Sequence, residues 1–515
     1  MMRRLFKEDH PDLASSIVWM ANFYNTRSNY RDAEFLYKEA LQMMRRLFKE
    51  GHPDLAKSII TMANFYDQQA NYNEAEPLYK EALQMMRRLF KEDHPVLAKS
   101  IITMAEFYDQ QGNYNKAELL YKEALQMMRR LFKEDHPDLA SSIVWMANFY
   151  NSRGNYNEAE PLYKEALEMN RRIFNDDHPD LASSIVWMAN FYNTRGNNKD
   201  AESLYKEALK MRRRLFKNDH PGLAKSIITM ANFYNARGNN NEAEPLYKEA
   251  LQMMRRHFND DHPDLASSIM WMADFYNARG NYKDAEPLYE EALEMMRRLF
   301  KNDHPDLANC IMLMSYFFNL QGKNKEAEPL YKEALQMSRN IFNNDHPDLA
   351  KTIMYTAGFY YKKGNYKEAE PLYKEALSMF MNILDNYFPS LSEKEKRSFW
   401  NTMKHYFEVF NSYAVIIAQE NPNILTDIYD IQLYTKALLF NTSSKLKSRI
   451  LNSNDSALIE KFHDWLDKKE FLLELYSLQE EEVKKKGFDI DSIENSANDL
   501  EKELGLRMIG IIAHE

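Results

Sequence analysis

The stretch His136-Pro137-Asp138-Leu139-Ala140-Ser141-Ser142-Ile143-Val144-Trp145-Met146-Ala147-Asn148-Phe149-Tyr150 decides the fold, because its opening pair recurs through the chain at a fixed step. His-Pro stands at His10, His52, His94, His136, His178, His220, His262, His304 and His346, always 42 residues apart. Within each period two stretches place apolar residues at spacings of three and four, in the first unit Asp12 to Arg27 and Arg31 to Phe48, the mark of an amphipathic helix. Pro11 suits the first position of a helix, where its missing N–H would have no partner, and Asp12 favours the positive end of the helix dipole. Gly112, Gly154, Gly196, Gly238, Gly280, Gly322 and Gly364 end the first helix from the third unit onward, as a left-handed terminator does; Ser28 and Ala70 stand there in the first two units. The second helix opens with acids such as Asp32 and Glu34 and closes with Arg45 and Arg46, again matching the dipole. Each period predicts a helical hairpin, and the series predicts an all-α solenoid in which neighbouring hairpins bury each other's apolar sides.

Composition agrees. Of 515 residues only 13 are Gly and 17 Pro, too few for a loop-rich β protein, while 44% hydrophobic and 28% charged residues suit a folded chain. Cys310, the one cysteine, excludes an intrachain disulfide and a cysteine-based zinc site. A net charge of −10 argues against general nucleic-acid binding, which needs a basic surface. No apolar run approaches the roughly 20 residues needed to cross a bilayer, and Met1 to Asp9 contain no apolar signal core. The expectations are a cytoplasmic location, no cofactor, no metal, no direct nucleic acid and no membrane.

The small and large positions Ile17, Met20, Ala21, Tyr24, Ala33, Tyr37 and Ala40 resemble the tetratricopeptide repeat. The 42-residue period in place of the common 34 is a departure, as is Ala21 where the family often has Gly. Together with the phrases His-Pro-Asp-Leu-Ala and Ala-Glu-Pro-Leu-Tyr-Lys-Glu-Ala-Leu, both are similar to the kinesin light chain type of the repeat. The resemblance implies a right-handed superhelix of hairpins followed by a C-terminal helical segment. Residues 1–386 would hold nine repeats, and 387–515 a helical connector or cap. Met1 to Glu8 duplicate Met43 to Glu50, so 1–8 read as the remnant of a preceding second helix and the chain as beginning inside a repeat.

Beyond the repeats, Ser392-Glu393-Lys394-Glu395 forms a capping box ahead of a periodic run through Phe399, Trp400, Met403, Phe407, Phe410, Tyr413 and Ile417, stopped by Asn421-Pro422. Further helices are expected from about Leu425 to Leu439, Ala457 to Lys485 and Ile490 to Leu504. The phrases Pro389 to Lys396 and Tyr434 to Leu439 resemble the helical region that precedes the caspase-like CHAT domain in bacterial proteins carrying tetratricopeptide repeats. In such proteins a His and Cys pair in a following α/β domain hydrolyses peptides. This sequence ends at His514-Glu515 with no later Cys, so the resemblance implies the region without its proteolytic half.

Nine equivalent histidines invite a metal-array reading, but packed helices stand about 8–10 Å apart and His binds zinc at about 2.0 Å; a helix-start role is expected instead. Cys310 occupies the position of Ser16, Ser58 and Ser268, a structural place. The methionines at Met20, Met43, Met44 and their copies read as core filling, and Glu480 to Glu482 as solvated.

The informative comparison is between copies. Ser15 becomes Lys57, Lys99 and Lys225; Trp19 becomes Thr61, Thr103 and Thr229; Asn22 becomes Glu106, Asp274, Tyr316 and Gly358; Thr26 becomes Gln68, Gln110 and Leu320. At about 100° per residue these positions lie within about 60° of one another, opposite Ile17, Ala21 and Tyr24. Such a stripe is a diversified binding surface, lining the concave groove of a tetratricopeptide superhelix, or it is drift at exposed positions after duplication. Asparagine suits the first account, since one amide pairs with a peptide N–H and C=O at once. Similar asparagines grip extended peptides in kinesin light chains, so the resemblance implies a comparable use for Asn22, Asn64, Asn148, Asn190 and Asn232. Their side chains are expected to point away from Ile143, Ala147 and Tyr150 and the core. Trp19, Trp145, Trp187 and Trp271 would be aromatic anchors or would pack between adjacent first helices. The candidate groove therefore comprises the five asparagines, Lys57, Lys99, Lys225, Trp145 and Trp187. The reading is a protein–protein interaction scaffold, not an enzyme, binding a peptide or protein segment, with its oligomeric state open. The alternative is the regulatory part of a CHAT protease whose catalytic domain lies beyond this chain. A light-chain-like cargo adaptor would need a heptad coiled coil before the repeats, and none is present. In a linear stack the first hairpin has a neighbour on one side only, so overpacking at Ala33 is expected to cost less than at Ala159.

Overall fold

A computed structural model describes residues 9–26, 30–48, 51–69, 71–174, 177–216, 219–342, 345–388, 391–419, 421–434, 450–451, 455–477 and 490–512. Met1 to Glu8, Ser28, Ala70, Pro389, Ser390, 435–439, Glu480 to Glu482, 484–486, His514 and Glu515 lie outside them. The first hairpin consists of α1 (Pro11–Thr26) and α2 (Tyr30–Leu47), the second of α3 (Pro53–Gln68) and α4 (Tyr72–Leu89), the third of α5 (Pro95–Gln110) and α6 (Tyr114–Leu131). The same pairing continues through α17 (Pro347–Lys362) and α18 (Tyr366–Tyr387), and no strand occurs among the described residues. The fold is an all-α tetratricopeptide-type solenoid.

The histidine starts each first helix. His52 adopts an extended backbone (φ −154°, ψ 147°), and its ring nitrogen accepts the N–H of Asp54, satisfying one of the donors a helix start leaves over. The same bond recurs from Asp12 to His10 and from Asp348 to His346. The imidazole also stacks on the phenylalanine four residues earlier, Phe48 on His52 at 4.1 Å and Phe132 on His136 at 3.7 Å, which fixes the corner between hairpins. At the other corner Gly112, Gly154 and their copies take φ of +73° to +81° or close to it, the left-handed conformation that favours glycine.

Between the helices Ala21, Ala33 and Ala40 are buried, and their lack of bulk lets the backbones approach. Tyr37 of α2 lies 5.2 Å from Phe65 of α3, and Tyr79–Phe107, Tyr163–Phe191 and Tyr247–Phe275 repeat the contact, each carrying the core from one hairpin to the next. Outside, Arg45 reaches Glu81 at 2.7 Å, as Arg87 does Glu123 and Arg255 does Glu291, while Arg46 clasps Asp9 and Arg130 clasps Asp93. Each exposed pair contributes little alone, but the series fixes the register of successive hairpins.

The described chain forms two compact units. One comprises 1–112, 116–151 and 156–359; the other 113–115, 152–155 and 360–515. In the first, the array coils until its later corners meet its earliest hairpins: Tyr30 stacks 5.9 Å from Phe300, Tyr72 lies 6.3 Å from Phe342, and the His304 Nε2–H donates to the Gln68 carbonyl at 2.8 Å. The expectation that the first hairpin has a neighbour on one side only is therefore corrected: Tyr30 at its corner is covered by Phe300.

In the second unit the capping box is present, Ser392 accepting from the Glu395 N–H and Glu395 returning to the Ser392 backbone. It opens α19 (Glu393–Ile417), followed by α20 (424–434), α21 (Ser456–Ser477) and α22 (Ile490–Ile512). Phe380 stacks on Tyr406 at 4.3 Å, and Tyr373 lies 4.6 Å from Tyr413. A small core of Leu458, Phe462, Trp465, Leu472, Ala497 and Leu504 joins α21 to α22. Lys396 and Glu501, both buried, stand 3.6 Å apart; burial alone would be costly for either charge, and each answers the other.

Ala159 and Ala33 are both fully buried at close helix contacts. Ala159→Leu is expected to lower unfolding free energy by about 1–3 kcal/mol through overpacking, and Ala33→Leu to fall in the same range. Urea titration of the two variants checks this, and a loss at Ala159 with none at Ala33 would restore the one-sided terminal hairpin.

Candidate functional site

On each first helix the variable positions share one face. Trp145 and Trp187 are 38% and 39% exposed, Trp19 76%. The tryptophan of an internal hairpin is thus partly covered and partly exposed. Three residues on come the asparagines, and here the expected geometry needs correction. Their side chains do not turn away from the core: the Tyr37 hydroxyl donates to Asn22 Oδ1 at 2.5 Å, Tyr79 to Asn64 at 2.6 Å, Tyr163 to Asn148 at 2.5 Å and Tyr205 to Asn190 at 2.5 Å, and Tyr247 donates to Asn232. A buried phenol needs an acceptor, and the asparagine on the first helix of the same hairpin supplies it. Removing the carboxamide leaves that hydroxyl unsatisfied, so substituting Asn148, Asn190 and Asn232 by Ala does not leave the fold untouched.

The lysines are exposed and paired. Lys99 Nζ lies 2.8 Å from Asp138 and Lys225 2.9 Å from Asp264, each reaching the first turn of the next hairpin, while Lys57 stands 3.7 Å from Asp54 of its own helix. Lys99 and Lys225 thus bridge hairpins at the edge of the stripe.

Sequence reading noted Glu106 and Asp274 among the variable positions but left them out of the candidate groove, and it passed over Asp67 beside them. Asp67, where other copies have Asn25, Asn151 or Asn193, receives the Tyr79 hydroxyl at 3.4 Å. Burial pushes its carboxyl up to about 6, although the Tyr79 bond favours the charged form. Glu106 replaces the asparagine in the third hairpin; burial, then the negative charge of Asp67, pushes it up to about 7. Asp274, the acceptor of Tyr289, is raised as well, by burial. Replacement of Asn by an acid at the tyrosine-accepting position was the available signal; it identifies the change but not the burial.

Among the described residues no cluster of three or more His, Cys, Asp or Glu is placed to hold a metal ion, and no helix is long and apolar enough to cross a membrane. Cys310 is buried on α15 (Pro305–Leu320), and burial pushes its thiol up to about 12, far from a nucleophile's range.

A carboxyl raised in the folded state binds its proton more tightly there than in the unfolded chain. Its contribution favours folding at acid pH and is lost as pH rises through about 4.5 to 7 for Glu106. Glu106→Asn, which restores the asparagine of five other copies, should therefore raise stability at pH 8 by on the order of 2 kcal/mol more than at pH 4. Urea midpoints at the two pH values measure this, and an equal gain at both would show that charge burial is not the cause.

A tetratricopeptide repeat model matches residues 12–88, 54–130, 180–256, 264–316 and 310–382, and a second model of the repeat matches 139–180. Among solved structures, BtubC from P. vanneervenii is 20% identical, with a TM-score of 0.37 over 45% of this chain and 91% of that one. A putative kinesin light chain of Podosopora anserina with nearly identical TPR-like repeats is 22% identical, with a TM-score of 0.35 over 40% and 98%. A Rap protein complexed with competence and sporulation factor is 13% identical, with a TM-score of 0.46 over 73% and 99%. Among curated proteins none matches. With the repeat models covering more than half of its length, the chain belongs to the tetratricopeptide repeat family.

Proposed function

We propose that this chain is a noncatalytic interaction scaffold holding an extended peptide segment along the stripe formed by successive first helices. The observation that carries the reading is the pair Trp145 and Trp187, large aromatic side chains partly exposed at the same position of adjacent hairpins, each three residues before an asparagine whose carboxamide is oriented by a buried tyrosine. Aromatic anchors of this kind concentrate binding energy, and groups held by their own core lose little freedom when a partner arrives. With one lone pair of Oδ1 taken by tyrosine, Asn190 and Asn232 offer a partner chiefly their Nδ2 donors, suited to peptide carbonyls. The acids Asp67, Glu106 and Asp274 give other hairpins a different chemistry, so neighbouring hairpins would read different side chains of the partner.

In this reading residues 1–386 carry the binding surface and 387–515 act as a helical connector. The likeness of residues 389–396 and 434–439 to the region before CHAT domains supports one elaboration, in which the scaffold serves a caspase-like protease domain beyond this chain.

A ligand can be selected from a random linear-peptide library and its affinity measured by tryptophan fluorescence. Trp145→Ala together with Trp187→Ala should weaken that peptide by at least about tenfold to a hundredfold. Phe35→Ser and Leu119→Ser, exposed side chains on second helices, should leave it unchanged. Binding at full strength by the folded tryptophan variant would move the site off the stripe.

A further inference from the structure

The corner made by a phenylalanine and the capping histidine is repeated along the array, but two of its copies are placed differently from the rest. His304 and His346 are 7% and 4% exposed, whereas His10, His52 and His178 keep about two fifths of their side-chain surface open. The cover comes from the earliest hairpins. Phe300 lies under Tyr30, and the His304 Nε2 faces the Gln68 carbonyl at the end of α3. Tyr72 lies 6.3 Å from Phe342 and 6.5 Å from the ring of His346, which turns toward the backbone of Gln110 at the end of α5. Pro347 presses against Gly112, where an added Cβ would meet its Cδ at 2.9 Å. These contacts form a seam between the first turn of the array and its later hairpins.

The seam fixes the protonation of both rings. The Asp306 N–H points at His304 Nδ1 from 3.2 Å and the Asp348 N–H at His346 Nδ1 from 3.1 Å, so Nδ1 carries no proton. Nε2 of His304 faces a carbonyl and carries one. A second proton would set N–H against N–H at the cap and leave an imidazolium sealed under aromatic rings. We propose that this seam is an acid-released latch: protonation of His304 and His346 parts the two turns while the hairpins stay folded.

The surrounding charges do not cancel the effect. Asp306 and Asp348 favour the charged rings from their own helix starts, and Lys351 opposes at His346. Around the His304 corner a cavity of about 560 Å³ brings Arg31 and Glu34 of α2 against Lys301 and Asp303, two of each sign. Burial dominates, holding His304 below the usual histidine range and His346 down at about 4. A histidine lowered in the closed state leaves the latch intact above about 6.5, and proton binding favours the open state as pH falls toward 4. For His346 the difference corresponds to about 300-fold in the opening equilibrium at full protonation.

The test follows the maximum dimension of the whole chain by small-angle scattering from pH 8 to pH 4, with helical ellipticity recorded on the same samples. Expansion before any loss of ellipticity is expected. His304→Asn with His346→Asn keeps a helix-capping side chain and removes the titration, so the pH-dependent expansion should vanish. His94→Asn with His136→Asn, at corners outside the seam, should keep it. Tyr72→Ala leaves every imidazole in place and should be expanded already at pH 8. A wild-type dimension that stays constant until the helices melt would overturn the proposal. So would expansion that persists in the seam variant, or that disappears equally in the control.

Discussion

The tyrosine of each second helix is the side chain on which the rest of the array depends. Its ring fills the space between one hairpin and the phenylalanine of the next, as Tyr163 does against Phe191, while its hydroxyl bonds back to the first helix of its own hairpin at Asn148. One residue thereby closes the hairpin and sets the step to its neighbour. The hydroxyl imposes a condition, because a buried phenol must meet an acceptor. Asn22, Asn64, Asn190, Asn232 and Asp274 meet it. In the third hairpin, where Glu106 stands instead, no such bond to Tyr121 forms, and the carboxyl is pushed toward its neutral form.

This condition ties the stripe to the core. Where the stripe carries asparagine, its carboxamide also satisfies a core tyrosine, so packing gives that residue a role of its own. The tryptophans one turn earlier are less constrained, since Thr61, Thr103 and Thr229 replace them without disturbing Met62, Met104 or Met230 beneath. The stripe therefore contains a polar row tied to the core, asparagine in five copies and Glu106, Asp274, Tyr316 or Gly358 in the others, beside an aromatic row that exchanges with threonine.

The Phe–His corner shows how one local motif acquires different surroundings. At Phe132 and His136 it caps a helix at a partly exposed corner; at Phe300 and His304 the same two residue types lie beneath another turn of the chain. Nothing in the corner itself differs. The coil of the array brings Tyr30 and Tyr72 over some copies and leaves the rest open.

The sequence by itself determined the hairpins: their period, their starts at His-Pro, their glycine ends and their buried alanines, because these follow from helix geometry within about 42 consecutive residues. It also located the variable stripe, since a helix carries fixed and changing residues to opposite faces. The tertiary structure alone decided what those side chains meet. The bond from Tyr163 to Asn148, the clasp of Lys99 on Asp138 and the burial of Asp67 and Glu106 join residues on different helices, and local periodicity holds no record of such distances. The seam is the extreme case, joining Gln68 to His304 across 236 residues. Small angular steps between hairpins accumulate over the array, and that sum, which no single repeat encodes, decides which corners are covered.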